Sequence, residues 1–255
     1  MRVLITGSAD GLGQLSARQL IADGHEVVLH ARNAERARDA LAGAPGAAGV
    51  LVGDLASIAQ TRRLAEEANA GGRFDGVIHN AGVYALPRRV QTEDGLSLVF
   101  AVNVLAPYLL TGLIERPGRL VYLSSGMHRG GDPGLADPQW EHRRWNGAQA
   151  YSDSKLFDTV LAFAIARRWP EVLSNAVEPG WVPTKMGGPG APDDLSLGHV
   201  TQAWLAGSDD PAATVSGQYF YHQRPREVPQ AAHSHQFQDE LTAALADITG
   251  VNLPA

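Results

Sequence analysis

Met1-Arg-Val-Leu-Ile-Thr-Gly-Ser-Ala-Asp-Gly-Leu-Gly13 is the stretch from which the rest of the chain can be read. Val3, Leu4 and Ile5 form a short apolar run without alternation, as suits a strand covered on both faces. Thr6 and Gly7 interrupt it, Gly11 and Gly13 follow, and Leu12, Leu15, Ala17 and Leu20 then recur at helical spacing. The pattern is strand, glycine turn, helix. Glycines at such a turn let the backbone bend sharply and let a ligand's phosphates approach main-chain N–H groups. The helix start behind them carries unpaired donors and a partial positive charge, which favours an anion. A glycine turn alone would be weak evidence. Here a second apolar strand, Glu26–Ala31, follows at the distance a βαβ unit requires, and the two together point to a bound nucleotide.

The same alternation continues. Helical residues from about 34 to 41 end at Gly43-Ala-Pro-Gly46, Val50–Val52 reads as a third strand, and a helix spans about 57–70. Phe74–His79 is a fourth strand, 83–93 a loop, and 95–113 a long helix that Pro107 should kink. Arg119–Ser125 is a fifth strand. Residues 127–149 are a long loop, and a helix then opens with Tyr151-Ser-Asp-Ser-Lys155 and continues, apolar nearly all round, from Leu156 to Ile165. A sixth strand, Val172–Val177, a helix over 195–205, a strand over 217–221 and a closing helix with Phe237, Leu241, Leu245 and Ile248 on one stripe complete the chain. This predicts an α/β fold: a doubly wound parallel sheet of about seven strands with helices on both faces. Residues 1–255 read as a single domain, with 184–205 as a flap over the substrate and 222–255 as a loop and helix completing the substrate side.

Composition narrows the function. The 255 residues are 44% hydrophobic and carry a net charge of −6, which argues against a nucleic-acid or anionic-membrane surface. No apolar run approaches the ~20 residues of a membrane span, no charged leader precedes the first strand, and a cytoplasmic enzyme is expected. There is no cysteine, so thiolate chemistry is excluded. His233 and His235 lack acidic or thiol company, so no metal site is expected.

Candidate site residues fall at strand ends, where open α/β sheets place ligands. Arg32, after the second strand, suits a ribose 2′-phosphate. Asp54 could accept a hydrogen bond from an adenine amino group or simply precede the next helix. Asn80-Ala81-Gly82 leaves room for a ribose, or is only a turn. Asn103 is a polar amide among apolar neighbours, and Ser124-Ser125 ends the fifth strand on two hydroxyls. Tyr151 and Lys155 share one helical face, where the ammonium would favour the phenolate. After the sixth strand, the Thr184 hydroxyl and Val182 backbone could reach a nicotinamide carboxamide or a phosphate. Trp140 and Trp145 either line an apolar pocket or anchor their loop. With Trp181, Met186 and Phe220 they suggest a sizeable apolar ligand. The apolar helix from Leu156 to Ile165 would permit a homodimer.

On these residues the whole chain resembles the short-chain dehydrogenase/reductase family. The glycine motif is Thr6-Gly7-Ser-Ala-Asp-Gly11-Leu-Gly13. Asn80-Ala81-Gly82 matches an Asn-Asn-Ala-Gly motif in which His79 replaces the first Asn. The insert between Ser125 and Tyr151, Ser124-Ser125-Gly-Met-His128 and Pro179-Gly180-Trp181-Val182-Pro-Thr184 look most like the retinol dehydrogenase-like branch and related bacterial ketoreductases. The resemblance implies a Rossmann-type fold and hydride transfer between NADP(H) and a carbonyl/alcohol pair. It implies Asn103, Ser125, Tyr151 and Lys155 as the catalytic tetrad, with Asn103 holding a water that links Lys155 to solvent. It assigns cofactor binding to Gly7, Ser8, Gly11, Leu12, Gly13, Arg32, Asp54, Leu55, Asn80, Ala81, Gly82, Tyr151, Lys155, Pro179, Gly180, Val182 and Thr184. The alternatives are an NADP-dependent epimerase or dehydratase, disfavoured by the short stretch after Thr184, and a non-catalytic nucleotide sensor, which would need no tetrad.

Overall fold

The apolar runs become parallel strands of one sheet, and the helices between them supply the crossovers. A computed structural model describes residues 1–254. Its strands are β1 (Arg2–Ile5), β2 (Glu26–Ala31), β3 (Gly49–Val52), β4 (Gly76–His79), β5 (Arg119–Leu123), β6 (Leu173–Glu178), β7 (Tyr219–Tyr221) and β8 (Arg224–Pro225). They lie in the order β3-β2-β1-β4-β5-β6-β7-β8. All pairs are parallel except β7–β8. The strand order reverses beside β1, and the crevice of a doubly wound sheet opens there.

The helices are α1 (Gly11–Ala22), α2 (Ala34–Gly43), α3 (Ile58–Ala70), α4 (Leu98–Phe100), α5 (Ala106–Leu113), α6 (Gly147–Arg168), α7 (Val200–Gly207), α8 (Gln230–His233) and α9 (His235–Thr249). One apolar core lies between the sheet and α3, α5, α6 and α9, and includes Leu4, Tyr108, Tyr122, Phe157 and Trp169. The other lies under α1, α2 and α7, and includes Val3, Ile5, Leu20, Leu29 and Phe220. Burial on both faces explains why the strands read as unbroken apolar runs.

Four expectations shift. The helix expected over 95–113 starts at Leu98 and widens into a π turn at Ala101–Leu105 before α5. Pro107, which has no N–H to give the preceding turn, follows that widening directly. The helix expected over 195–205 begins at Val200. Residues 222–235 are not irregular throughout: His222 and Gln223 take positive φ (49° and 60°) and turn the chain into β8, an eighth strand, and α8 follows. Finally, residues 150–165 of α6 are buried within one chain, where Phe157 meets Phe237 and Phe163 meets His233. The apolar face that would permit a dimer is taken up by α8 and α9.

Candidate active site

At the carboxyl edge of the sheet a cleft of about 720 Å³ runs from the end of β2 past β1 and β4 to α6. Of the expected site residues, Gly7, Gly11, Leu12, Arg32, Asp54, Leu55, Asn80, Ala81, Gly82, Tyr151, Lys155, Pro179 and Thr184 line it. Ser8, Gly13, Asn103, Ser125, Gly180 and Val182 are not among its lining residues, and of these Ser125 and Gly180 are half-buried. Ser8 is buried and donates to the Ile5 carbonyl at 2.9 Å, which fixes the turn after β1. Gly7 and Gly11 have φ of +63° and +55°, a region in which glycine carries no steric penalty. A Cβ on Gly7 would lie 2.8 Å from the Ala81 Cα, so the ends of β1 and β4 touch backbone to backbone. Thr6 Oγ1 accepts from the backbone N–H groups of Asn80 and Ala81 at 3.0 and 3.1 Å and stitches those ends together.

On the β5 side, α6 begins four residues before Tyr151, where the Asn146 side chain caps it by accepting from Gln149 N–H at 3.1 Å. Tyr151 and Lys155 therefore sit in the first turns of a buried helix. The Ser125 hydroxyl is near enough to the Tyr151 phenol to lower its pKa. Lys155 Nζ donates to the Leu123 carbonyl at 2.6 Å and to Asp158 Oδ2 at 2.7 Å. Asn103 is fully engaged as a donor: Nδ2 gives to Val83 O and Ser154 Oγ at 3.0 and 2.9 Å, while Oδ1 accepts from Val83 N–H at 2.7 Å.

Residues 1–136 match the family described as short chain dehydrogenase. An uncharacterized oxidoreductase of Emericella nidulans is 46% identical over 259 residues, covering 100% of this chain and 99% of that protein. The chain belongs to the short-chain dehydrogenase/reductase family. It is an NAD(P)-dependent oxidoreductase. Retinol dehydrogenase 14 of Homo sapiens is 34% identical over 212 residues, covering 72% of this chain and 62% of that protein. Among solved structures, an uncharacterized protein of Mycobacterium paratuberculosis superposes with a TM-score of 0.86 at 26% identity, covering 100% of this chain and 95% of that one.

In this dehydrogenase/reductase the electrostatics of the site are more balanced than a bare Tyr/Lys pair suggests. Burial raises the Tyr151 phenol above its ordinary range; the Lys155 charge and the Ser125 hydroxyl pull it down without prevailing, and Asp158 and Tyr84 push it up. Burial also works against the Lys155 ammonium, but Asp158 beside it and Tyr151 together outweigh burial and raise its pKa.

Several site residues escape sequence reading. His30 on β2 accepts the Gly7 N–H at Nδ1 (2.9 Å) and meets the Gly53 carbonyl through Nε2 at 2.9 Å, so it holds the glycine turn from the neighbouring strand. Arg36 reaches across from α2 to Asp10 at 2.6 Å, and Lys185 reaches the same carboxylate at 2.9 Å. Burial opposes that carboxylate, but the two cations prevail and hold Asp10 below the usual range. The negative charge in the glycine turn is thus neutralised. The signal for Arg36 is its place one turn into the helix after Arg32.

The tryptophans do not line the cleft. Trp140 is buried edge-on to Trp145 at 5.9 Å under the Arg143 guanidinium, and Trp145 Nε1 donates to the Leu86 carbonyl at 2.9 Å. They anchor the 127–149 loop to the body. Phe220 lies in the core and Trp181 is 61% exposed; of the five residues read as ligand-facing, Met186 is the one on the cleft wall.

His79 stacks on Tyr122 at 4.7 Å, and burial lowers its pKa to about 3. A base whose pKa falls on folding contributes stability above its unfolded pKa of 6.5, and this is lost as pH drops from there toward about 3. Between pH 7 and pH 5 the wild type should therefore lose about 2 kcal/mol more stability than His79→Asn. Urea denaturation at the two pH values measures this; parallel losses in both proteins would refute it.

Proposed function

We propose that the protein transfers hydride between NADPH and a carbonyl/alcohol pair on a sizeable apolar substrate. One observation carries the reading. The Tyr151 phenol, beside the Ser125 hydroxyl and with Lys155 Nζ 5.7 Å from its ring, stands on the β5 side of a cleft whose β2 side holds Arg32 and Arg36. The residues present suit a dinucleotide. The left-handed glycines Gly7 and Gly11 leave their own positions in the turn without side chains, and a Cβ on Gly82 would stand 3.7 Å from Lys155 Nζ. Leu12, at the start of α1, and Asp54 with Leu55, after β3, would bound the pyrophosphate and adenine; Pro179, Gly180, Val182 and Thr184 would bound the nicotinamide end.

When bound, the cofactor supplies or takes the hydride, and the chain supplies geometry and a proton. Tyr151 gives its proton to the carbonyl oxygen on reduction and takes one from the alcohol in reverse. Ser125 hydrogen-bonds the same oxygen and fixes its distance from Tyr151. Lys155 favours the phenolate. Asn103 has both amide hydrogens committed to Val83 and Ser154, so its side chain braces the loop after Gly82 and the turn before Lys155. The segment from 184 to the start of α7 acts as a flap, short of the 184–205 expected, because α7 packs Ala203 and Leu205 into the core. Lys185 ties it to Asp10 through an exposed ion pair, weak enough to open and close. Residues 222–255 complete the substrate side. Met186 on the cleft wall and exposed Tyr84, edge-on to Tyr151, favour an apolar ligand, in keeping with the retinol dehydrogenase relative. A cytoplasmic setting would supply the reduced cofactor.

Loss of reduced-nicotinamide absorbance with a panel of aryl ketones and aldehydes tests the reaction; silence across apolar carbonyls with either coenzyme would defeat it. The coenzyme preference has its own test. Removing one guanidinium from a phosphate costs about 1.5–3 kcal/mol, so Arg32→Ala should weaken NADPH binding by about 10–100-fold and leave NADH binding unchanged in a fluorescence titration. Equal losses for both coenzymes would remove Arg32 from the 2′-phosphate.

A further inference from the structure

Lys155 has a partner that the proposed proton transfer does not call for. Asp158, one turn further along α6, places Oδ2 2.7 Å from Nζ, and the two side chains are only 5% and 4% exposed. Its second oxygen, Oδ1, is buried and has no hydrogen-bond partner among the described residues. A buried carboxylate left half-satisfied is costly, and an apolar residue would fill this position at lower cost. Packing alone does not account for it.

The groups that face this carboxylate are few. From α6 itself come Lys155 and Tyr151; from β5 comes Tyr122, whose hydroxyl meets Thr111 of α5 at 2.7 Å, and Thr111 in turn reaches His79 of β4 at 3.2 Å. Burial keeps Tyr122 protonated and His79 neutral. Burial raises the Asp158 carboxyl to about 6 against the pull of Lys155, so above that pH the charges in this buried group are the Lys155 cation and the Asp158 anion. They act on Tyr151 in opposite senses, the cation lowering and the anion raising its pKa.

We propose that Asp158 is a positioning residue for the oxidoreductase reaction: it clamps Lys155 Nζ against the Leu123 carbonyl and offsets its charge, and so sets the pH at which Tyr151 gives up its proton. The inference rests on the reading of Tyr151 as the proton donor and acceptor. Asp158 itself exchanges no proton in the reaction. In the oxidative direction the alcohol's O–H proton goes to the Tyr151 phenolate while its C–H hydride leaves to NADP⁺. The carboxylate acts by its field and by holding the ammonium.

Asp158→Asn tests this, because the amide keeps an acceptor for Nζ and removes the charge. Tyr151 ionisation is read as the phenolate absorbance of Asp158→Asn minus that of Asp158→Asn/Tyr151→Phe, and compared with the wild-type minus Tyr151→Phe difference. The expected result is a midpoint lower by about one pH unit or more. The rising limb of the pH profile for benzyl alcohol oxidation with NADP⁺ should move by the same amount. A Tyr151 midpoint unchanged in Asp158→Asn, or a profile scaled down without a shift, would overturn the proposal, since a merely structural role predicts those outcomes. Asp158→Ser gives the same readout should Asn impair folding. Full turnover by Tyr151→Phe would instead defeat the catalytic reading, while the phenol titration would still decide whether Asp158 governs Tyr151.

Discussion

Tyr151→Phe is expected to lower turnover by about 10²–10⁴-fold, the range typical of lost acid–base catalysis, while NADPH still binds. The substitution is close to surgical. The ring is buried, stands edge-on to Tyr84 at 4.9 Å and lies within 5.7 Å of Lys155 Nζ, contacts that Phe reproduces. What disappears is the phenolic O–H beside the Ser125 hydroxyl, a loss to stability of no more than about 1 kcal/mol. Turnover should fall across the whole pH range, since no neighbouring group is placed to take over: Ser125 is too weakly acidic, and Lys155 is turned to Asp158 and the Leu123 carbonyl. Steady-state rates from reduced-nicotinamide absorbance, paired with a fluorescence titration of NADPH, separate chemistry from binding. Turnover within about tenfold of wild type would place the proton elsewhere.

What the sequence discloses follows from how local the information is. The strand–glycine–helix unit is visible because burial on both faces leaves Val3–Ile5 and Val27–Leu29 without polar interruptions, and because only glycine suits the turn between. Tyr151 and Lys155 are visible because helical spacing alone brings them to one face. By contrast, His30 matters only once β2 pairs with β1 in the register Leu4–Val28, Ile5–Leu29, which carries its ring to the Gly7 N–H. Arg36 matters only once α2 lies beside the glycine turn. β8 has two residues and no periodicity of its own; it exists by pairing with Phe220 and Tyr221. The tryptophans mislead for a related reason: a large apolar ring in a loop declares that it will be buried, not against what. Asp158 is the subtler case. Its three-residue spacing from Lys155 is plain in the chain, but an acid in so apolar a helix reads as an interruption until the coordinates join it to the ammonium.

Gly13→Val is expected to be the most damaging single change in the cofactor-facing half of the molecule. Gly13 needs no unusual backbone angle; it is a glycine for lack of space. A Cβ there would lie 2.5 Å from Asn80 Nδ2, 2.6 Å from the Gly7 carbonyl oxygen and 2.9 Å from the Ser8 Cα, and two of those three atoms are backbone. The third belongs to an amide that donates to the Thr6 and Gly7 carbonyls at 2.9 and 3.0 Å and so ties the end of β4 to the end of β1. Overpacking costs typically 1–3 kcal/mol, and each displaced hydrogen bond adds about 1 kcal/mol. The strain falls on the turn that would meet the cofactor's phosphates, so a distortion of about 3 kcal/mol should also appear as about a hundredfold loss of NADPH affinity. Gly49→Ala is the control: its Cβ meets nothing within 4 Å, and its effect should stay within about 0.5 kcal/mol. Urea denaturation and NADPH titration of both variants measure the contrast. Wild-type stability and affinity in Gly13→Val would mean that α1 can slide away from Asn80, and that the turn is not the rigid cradle on which the cofactor reading depends.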